Sequence, residues 1–403
     1  MHLTREEDRT LEGEHGEALS FAMKILVNLG DLEGARGLIP ITSAHVSGVS
    51  YHTAGEGLIK LLEELNRMKA RVSVPSSLNP AGMDLRRWKD IGYPRDFAEK
   101  QLRIIELYRG MGINMTYSCI PYEITNAVPP IHFGDHISWG ESNAIIYANS
   151  MIGARTNREG GISCLASGIL GKTPEWGMHL DINRNPDIEV SVEGEMDPFH
   201  FDLLGAYIGN RFSSSIPFYR NISDNADHGS LKHLGAAMAA KGGISLFHID
   251  GLTPEARKGS IELGNIDERI TITTEELEDV KRELYPEPEG EIDTFVLGCP
   301  QFGTAEFLRL HEALRGKKLI EGKRILVYTA RGLRDILPPG MLKDITSAGV
   351  EVYDDTCMVV TPLASLGFER VGTDSGKAAH YIPKMSGLET DLIPMELIVD
   401  RCT

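Results

Sequence analysis

The stretch Thr294-Phe-Val-Leu-Gly-Cys299-Pro300 opens the part of the chain whose pattern decides the fold. Its apolar run Thr294–Leu297 predicts a buried strand. A helix, a strand, a helix and a strand are predicted after it, in this order: Ala305–Leu314, Ile325–Tyr328, Pro339–Ser347 and Glu351–Tyr353. Strands that alternate with helices are typical of βαβ units on a parallel sheet, and ligands bind beyond the carboxyl ends of such strands.

The rest of the chain also has mixed α/β patterns. Short strands are predicted at Arg71–Val74 and Ile113–Tyr117, and the segment Tyr285–Glu291, with two prolines and three acids, is typical of a linker. Helical spacing of apolar residues occurs at Glu17–Leu29, Glu56–Leu65, Phe97–Arg109, Phe201–Ile208, Leu231–Ala240 and Glu275–Leu284. We therefore predict an α/β protein with mostly parallel sheets and three lobes, with approximate bounds 1–118, 119–290 and 291–403.

Composition excludes several classes of function. With 41% apolar and 25% charged residues the chain has the balance of a soluble globular protein. Its formal charge of −17 argues against partners such as nucleic acid or anionic membrane, so an anionic substrate must be bound by a local basic or amide-rich pocket. The first residues, Met1–Asp8, contain no apolar signal core, and no apolar stretch approaches the ~20 residues of a membrane span. We expect a cytoplasmic protein.

Three of the five cysteines occupy the same kind of position. Cys119, Cys299 and Cys357 each follow a predicted strand, where backbone amides and helix N-termini converge and thiolates are favoured. Three thiolates that meet at one crevice suit an iron–sulfur cluster with one open iron. Two alternatives stay open at this point: buried apolar cysteines, and a zinc site completed by a histidine. Cys164, in an apolar run, and Cys402, at the terminus, have no predicted role.

Polar segments elsewhere are candidate substrate loops. The segment from Ile41 to His52 favours a binding loop over a core element. Within it, Gly48-Val49-Ser50, like Asn79-Pro80 further on, offers amide and hydroxyl contacts for a carboxylate or phosphate, or only turn chemistry. Ser375-Gly376-Lys377 has the pattern of an anion nest with a cation attached, or of a surface turn. Further candidate acids, bases and clamps, each with an ordinary structural alternative, are His45, His52, His132, His136, His380, Arg155 and Arg158.

Five segments together resemble the aconitase X family, in the family's order and over essentially the whole chain: His45–Tyr51, Tyr117–Tyr122, Trp139–Asn143, Gly298–Pro300 and Ser375–Tyr381. The resemblance implies an aconitase-like fold, with several α/β lobes around a central iron–sulfur cleft. It implies that Cys119, Cys299 and Cys357 hold a [4Fe–4S] cluster with three cysteine ligands. The substrate-binding residues that it implies are Gly48, Val49, Ser50, Asn79, Pro80, Trp139, Glu141, Ser142, Ser375, Gly376 and Lys377.

The resemblance also implies an activity. Members of the family are hydro-lyases, and one activity dehydrates (R)-5-phosphomevalonate to trans-anhydromevalonate 5-phosphate in the archaeal mevalonate (isoprenoid) pathway. The other dehydrates cis-3-hydroxy-L-proline. Because no swivelling domain is visible before the chain stops at Thr403, we expect a separate small subunit that carries the catalytic base, and the first activity. A non-catalytic, aconitase-like protein that binds metal or RNA is the alternative from another class.

Overall fold

The computed structural model describes residues 1–124, 128–222, 226–264 and 266–403. Helices α1 to α16 are Arg5–Leu11, Glu17–Leu32, Tyr51–Arg67, Trp88–Ile91, Arg95–Gly110, Ser142–Tyr147, Gly161–Leu170, Pro198–Arg211, His228–Gly242, Pro254–Lys258, Thr274–Leu284, Thr304–Ala313, Arg331–Arg334, Pro339–Ser347, Gly376–Ser386 and Met395–Cys402. Strands β1 to β14 are Leu38–Pro40, Ala44–Val46, Ser76–Leu78, Ser138–Trp139, Lys172–Pro174, Ile188–Glu193, Pro217–Arg220, His248–Ile249, Glu268–Thr273, Thr294–Phe302, Arg324–Thr329, Glu351–Asp354, Arg370–Thr373 and Glu389–Leu392.

The C-terminal region contains the parallel sheet that the sequence predicts. Its five strands lie in the order β12-β11-β10-β13-β14, and every neighbouring pair is parallel. Successive residues of β10 pack into cores on opposite faces, since Phe295 and Leu297 contact one cluster and Val296 the other. Burial on both faces explains why the strand is a continuous apolar run. Helix α14 has the predicted bounds, with Pro339 in its first turn.

The middle region contains a second parallel sheet, in the order β8-β7-β6-β9, none of whose strands is predicted in the sequence analysis. Helices α8 and α9, which were predicted, pack closely and form one core with β6 and β7. Ile188, Val190 and Val192 of β6 are buried in alternation with more exposed residues. That period of two was a usable strand signal.

The N-terminal region has a short parallel sheet in the order β3-β2-β4 and a separate antiparallel pair, β1 with β5. The predicted strand Arg71–Val74 is wrong, because the strand at this place is β3, Ser76–Leu78. The predicted strand Ile113–Tyr117 is also wrong: only Asn114 forms a bridge, to Ser77. The Thr116 hydroxyl rather than a backbone carbonyl accepts from the Leu78 N–H, at 2.9 Å, and this interrupts the ladder.

One of the two predicted lobe boundaries divides a sheet, and the other does not. The boundary after residue 118 falls between strands that pair in one sheet, because β4 lies beyond it and β2 before it. The boundary after residue 290 falls in the irregular segment between α11 and β10. The division into lobes stays a prediction. In the part of the chain that the structure describes, no helix is both long and apolar enough to cross a membrane.

Candidate active site

A cleft of about 280 Å³ lies where the carboxyl ends of strands from two sheets face each other. Residues that follow β2, β3 and β4 line one side of it, and Cys299 within β10 and residues that follow β12 and β13 line the other. This is the position at which parallel α/β sheets bind ligands. The lining residues are Ser47, Gly48, Asn79, Pro80, Cys119, Gly140, Glu141, Ser142, Cys299, Cys357, Val359, Val360, Lys377, Tyr381 and Met385.

Cys119 reaches the cleft from the irregular segment beside β3. The preceding Ser118 N–H donates to the carbonyl of Leu78, the last residue of β3, at 3.0 Å. The Cys119 carbonyl accepts from the Asn143 side chain at 3.0 Å, and its sulfur accepts from the backbone N–H of Gln301 at 3.2 Å. Burial raises the pKa of the Cys119 thiol in the absence of a metal.

Cys299 projects from a bulge in β10. Leu297 pairs with Val327 and the next paired residue of β10, Phe302, pairs with Thr329, so residues 298–301 leave the ladder. Gly298 has φ +105°, and a Cβ there would lie 2.3 Å from the Tyr328 carbonyl oxygen. The bulge therefore requires glycine at this position and turns Cys299 toward the cleft.

Cys357 follows β12 after Asp355, whose φ is +64°. The Cys357 carbonyl accepts from the N–H groups of Val360 and Thr361, at 3.1 and 3.0 Å. The two thiols influence each other: the pKa of Cys299 is raised and that of Cys357 is lowered, chiefly through the neighbouring thiol.

The donor set fits an iron–sulfur cluster with three cysteine ligands. Cys119, Cys299 and Cys357 are all buried and line one cleft. Among the described residues, no three His, Cys, Asp or Glu side chains are grouped closely enough to hold a single metal ion. A cube does not require such a group, because its cysteine ligands bind different irons.

The other two cysteines lie outside the cleft. Cys164 is in α7 and is fully buried in the N-terminal core. Cys402, expected at a frayed terminus, is instead the last residue of α16 and fully buried among C-terminal core residues. Neither thiol lines the cleft.

A buried ion pair forms the polar side of the cleft. Lys377, in the first turn of α15, donates to the Glu141 carboxylate at 2.5 Å, and Asn79 donates to the same carboxylate at 2.8 Å. Burial alone would raise the pKa of Glu141, but Lys377 and Asn79 stabilise the anion, so its pKa is lowered. Burial alone would lower the pKa of Lys377, but the neighbouring Glu141, Cys299 and Cys119 together raise it.

His45 continues this hydrogen-bonded line behind the cleft. Its Nε2 lies 3.2 Å from the Asn79 carbonyl oxygen, and its Nδ1 lies 2.7 Å from the Ser77 hydroxyl. Burial lowers the pKa of His45 to about 4, so the ring is neutral near pH 7. A neutral ring has one donor, and because the Asn79 oxygen accepts, Nε2 carries the proton. The expectation that this segment is only a binding loop is wrong at β2, which is a buried strand.

The structure brings most of the predicted substrate residues to this cleft. Those that line it are Gly48, Asn79, Pro80, Glu141, Ser142 and Lys377. Val49 and Ser50 lie just behind it: the Val49 carbonyl accepts from Gln101, and the Ser50 hydroxyl donates to Val360. The buried Trp139 donates to Ser43.

The predicted anion nest at Ser375-Gly376-Lys377 is occupied by the protein's own groups. The Gly376 N–H donates to the Asp202 carboxylate at 3.0 Å, and the Ser375 hydroxyl bonds the Cys299 carbonyl. Neither residue lines the cleft, and only Lys377 of this segment reaches it. The surface-turn alternative also does not hold, because all three residues are buried.

The remaining candidate histidines and arginines do not line the cleft. His52 approaches its rim, where Nε2 lies 3.2 Å from the Met385 carbonyl. The others have neighbours elsewhere: His132 contacts Asp135, His136 contacts His179, His380 contacts Lys384, Arg155 contacts Asp181, and the Arg158 guanidinium lies beside Gly243. Tyr381 and Met385 line the cleft one and two turns after Lys377 on α15 but are not among the predicted site residues; helical spacing from Lys377 is the signal that could have found them.

Comparison with known families accounts for all three regions of the chain. Models described as the aconitase X first, second and third domains match residues 1–182, 186–282 and 292–403. The chain belongs to the aconitase X family. A crystal structure of aconitase X from Thermococcus kodakaraensis, in its holo form, matches with a TM-score of 0.91 and 38% identity, covering 100% of both chains. The predicted aconitase-like α/β fold is confirmed.

Curated relatives of the chain are named as dehydratases. The phosphomevalonate dehydratase large subunit of Methanocaldococcus jannaschii is 42% identical over 391 residues, which is 95% of either chain. That of Methanosarcina mazei is 40% identical and covers 100% of this chain and 97% of the relative. The cis-3-hydroxy-L-proline dehydratase of Pseudomonas aeruginosa is 33% identical over 94% of this chain, but the match covers 66% of that relative. The predicted reaction class, a hydro-lyase, is confirmed.

Proposed function

We propose that this chain is the large, cluster-bearing subunit of a dehydratase that converts (R)-5-phosphomevalonate into trans-anhydromevalonate 5-phosphate. The observation that carries the proposal is the full-length similarity to proteins named phosphomevalonate dehydratase large subunit. The cleft supports it, because buried cysteines and a polar wall of Asn79, Glu141 and Lys377 line one space.

Cys119, Cys299 and Cys357 are the residues that would hold the cluster. When bound with one iron open, a [4Fe–4S] cluster supplies a Lewis acid for the hydroxyl and carboxylate oxygens of the substrate. The chain's own part is to keep these thiols in a buried space into which the Glu141–Lys377 pair also points. Burial strengthens the electrostatic interactions inside such a space.

The polar wall has a separate task, which is to orient the substrate. Lys377 keeps its charge, and with its other two N–H bonds it can donate to a substrate carboxylate or hydroxyl while Glu141 holds its position. Asn79 is fixed between Glu141 and His45, so its amide cannot turn when substrate enters. Gly48, two residues after the end of β2, lines the cleft. It is the residue of the predicted Gly48-Val49-Ser50 loop that reaches the cleft.

We further propose that the base and the closure of the cleft come from a small partner subunit with a swivelling domain. Relatives at 40–42% identity are named large subunits, which supports a partner. A proton α to a carboxylate is weakly acidic, so its removal needs a positioned base. Closure by a partner would exclude water and complete the site.

The experiment is a turnover assay of the chain co-expressed with the small subunit and purified without oxygen. We expect (R)-5-phosphomevalonate to lose one water, seen by mass spectrometry, and unphosphorylated mevalonate to react far more slowly. The chain without its partner, loaded to the same iron content, serves as the matched control and is expected to be inactive. Full activity of that control would place the base within this chain.

The second candidate function is cis-3-hydroxy-L-proline dehydration, favoured by the 33% identity to the Pseudomonas aeruginosa enzyme. The same preparation tests it. Turnover of cis-3-hydroxy-L-proline at a rate comparable with that of (R)-5-phosphomevalonate would reject the first proposal. The alternative of an RNA-binding protein predicts retention of labelled RNA in a filter-binding assay, which the charge of −17 leads us not to expect.

A further inference from the structure

Gln301 makes an unusual number of hydrogen bonds for one buried residue. It lies two residues after Cys299, in the bulge of β10, and is completely buried. Its backbone N–H donates to the Cys119 sulfur at 3.2 Å, and its side-chain oxygen accepts from the Cys119 N–H at 3.1 Å. Its side-chain nitrogen lies 3.2 Å from the carbonyl oxygen of Tyr117, 3.1 Å from that of Thr329 and 2.9 Å from that of Thr356.

The hydrogen-bond partners of Gln301 lie in or beside the segments that carry Cys119 and Cys357. Tyr117 and Cys119 are in the segment beside β3, and Thr356 directly precedes Cys357. Thr329 ends β11, the strand between β10, whose bulge carries Cys299, and β12, which Cys357 follows. One amide therefore joins the backbone next to Cys119 to the backbone next to Cys357, and both to the bulge of Cys299.

The surroundings make these bonds hard to replace. The side chain has no exposed surface, so water cannot take over a bond that is lost. The Gln301 carbonyl accepts from the buried Lys232 of α9 at 3.2 Å, which holds the bulge from the middle region as well. Lys232 is itself paired with Glu306 at 2.6 Å.

We infer that Gln301 is a positioning residue for the iron–sulfur cluster: its side chain sets the spacing of Cys119 and Cys357, and its backbone N–H donates to the Cys119 sulfur. The inference rests on the proposed function, since it assumes that these three cysteines are the ligands. Groups that orient metal ligands in this way commonly change metal affinity by about 10–100-fold when replaced. Hydrogen bonds to ligand sulfurs also affect the reduction potential of a cluster.

The test compares Gln301→Met with a matched variant, Asn149→Leu. Asn149 is also a buried amide that joins separate segments, because its nitrogen donates to the carbonyls of Thr156 and Ser245 and its oxygen accepts from the Thr156 N–H and from the Arg184 guanidinium. None of these partners is in a cysteine segment or lines the cleft. Both variants remove the amide and keep a side chain of similar size, so both should lower the melting temperature.

Only Gln301→Met should change the cluster. In anaerobic preparations of the complex, we expect an altered electron paramagnetic resonance signal, a shifted reduction potential, and iron release to a chelator that is about 10-fold faster or more. Asn149→Leu should match the unmodified protein in all three. If Gln301→Met keeps the unmodified signal, potential and release rate and loses only stability, as Asn149→Leu does, the inference is wrong.

Gln301→Asn covers the case in which Gln301→Met does not fold. This variant keeps the amide but is shorter by one methylene, so it cannot reach the Cys119 N–H and the Thr356 carbonyl together. A partial change in the same three measurements supports the inference. The absence of any change in all three overturns it. The proposed function is tested separately, because it requires iron and sulfide in the unmodified protein. An unmodified protein without iron and sulfide would contradict both the proposed function and the role of Gln301.

Discussion

The two sheets that face the cleft are stabilised in different ways. In the C-terminal sheet, β10 and β11 are mostly apolar, are 9 and 6 residues long and pair through their backbones; Cys299 lies in the bulge of β10, and Cys357 follows β12. The N-terminal sheet has β2, β3 and β4, which are two or three residues long and contain the buried polar residues His45, Ser76, Ser77 and Ser138. Side-chain hydrogen bonds there do part of what apolar burial does in the other sheet. The C-terminal sheet thus supplies two of the three proposed cluster ligands, Cys299 and Cys357, and the N-terminal sheet supplies oriented polar groups, with Cys119 in the segment beside β3.

The largest expected effect is the loss of the cluster when one of its cysteine ligands is replaced. If the cluster remained, the contrast between the two sheets would not hold. Replacing Cys119, Cys299 or Cys357 by Ala should abolish bound iron and acid-labile sulfide in anaerobic preparations, because each would remove one of three ligands. Cys164→Ala and Cys402→Ala, buried but outside the cleft, are the controls and should keep the cluster. A colourless, zinc-loaded protein would contradict the assignment.

The next effect concerns the ion pair that joins the two sheets. Lys377→Met leaves the buried Glu141 carboxylate without its cation, and the loss of one partner of a buried pair costs about 3–5 kcal/mol of the free energy of unfolding. The double variant Lys377→Met with Glu141→Gln should recover part of this loss, since no uncompensated charge remains. Denaturant unfolding of the variants in the same metal state measures both. A double variant less stable than Lys377→Met would show that the charge is not the cause.

The same contrast between the two sheets explains how much of the fold can be predicted from the sequence. The apolar runs of β10 and β11 and the proline at the start of α14 are local signals, and these three elements begin within one residue of their predicted starts. Strand β3, Ser76–Leu78, has no such signal, because its serines are buried only when a distant part of the chain supplies partners.

The site shows the same limit. Strand-end position indicated Cys299 and Cys357, whereas the occupied amide of Gly376 depends on Asp202, a residue 174 positions away. Gln301 is a glutamine after a Cys-Pro pair, and its partner Cys119 is 182 residues distant. Its contacts arise from three segments that meet only in the fold, so no local pattern could have indicated them.

A third, smaller effect is expected at His45. His45→Phe would leave the Asn79 oxygen and the Ser77 hydroxyl without their ring partners, at a cost of about 1–3 kcal/mol for buried groups. Because Asn79 could then turn, binding of substrate should weaken as well. His380→Phe, on the α15 surface near Lys384, is the control and should change neither quantity by much. Unfolding and substrate titration measure the two effects, and unchanged substrate affinity in His45→Phe would show that Asn79 is held without the ring.

The smallest effect sharpens the contrast between the sheets most directly. The Thr116 hydroxyl accepts from the Leu78 N–H at 2.9 Å and donates to the Leu78 carbonyl at 2.8 Å, where a backbone ladder would otherwise run. Thr116→Val keeps the shape and leaves a buried N–H unpaired, so we expect a loss of about 1–3 kcal/mol.

Thr329→Val is the matched change in the C-terminal sheet. The Thr329 hydroxyl only donates to the Phe302 carbonyl, at 2.9 Å, and the backbone pairing of β11 with β12 remains. A carbonyl that loses one donor is tolerated better than an N–H that loses its acceptor. The loss should therefore be smaller than in Thr116→Val, as measured by denaturant unfolding of both. Equal losses would mean that side-chain bonds contribute no more to the N-terminal sheet than to the C-terminal one, and the distinction between the two sheets would have to rest on strand length alone.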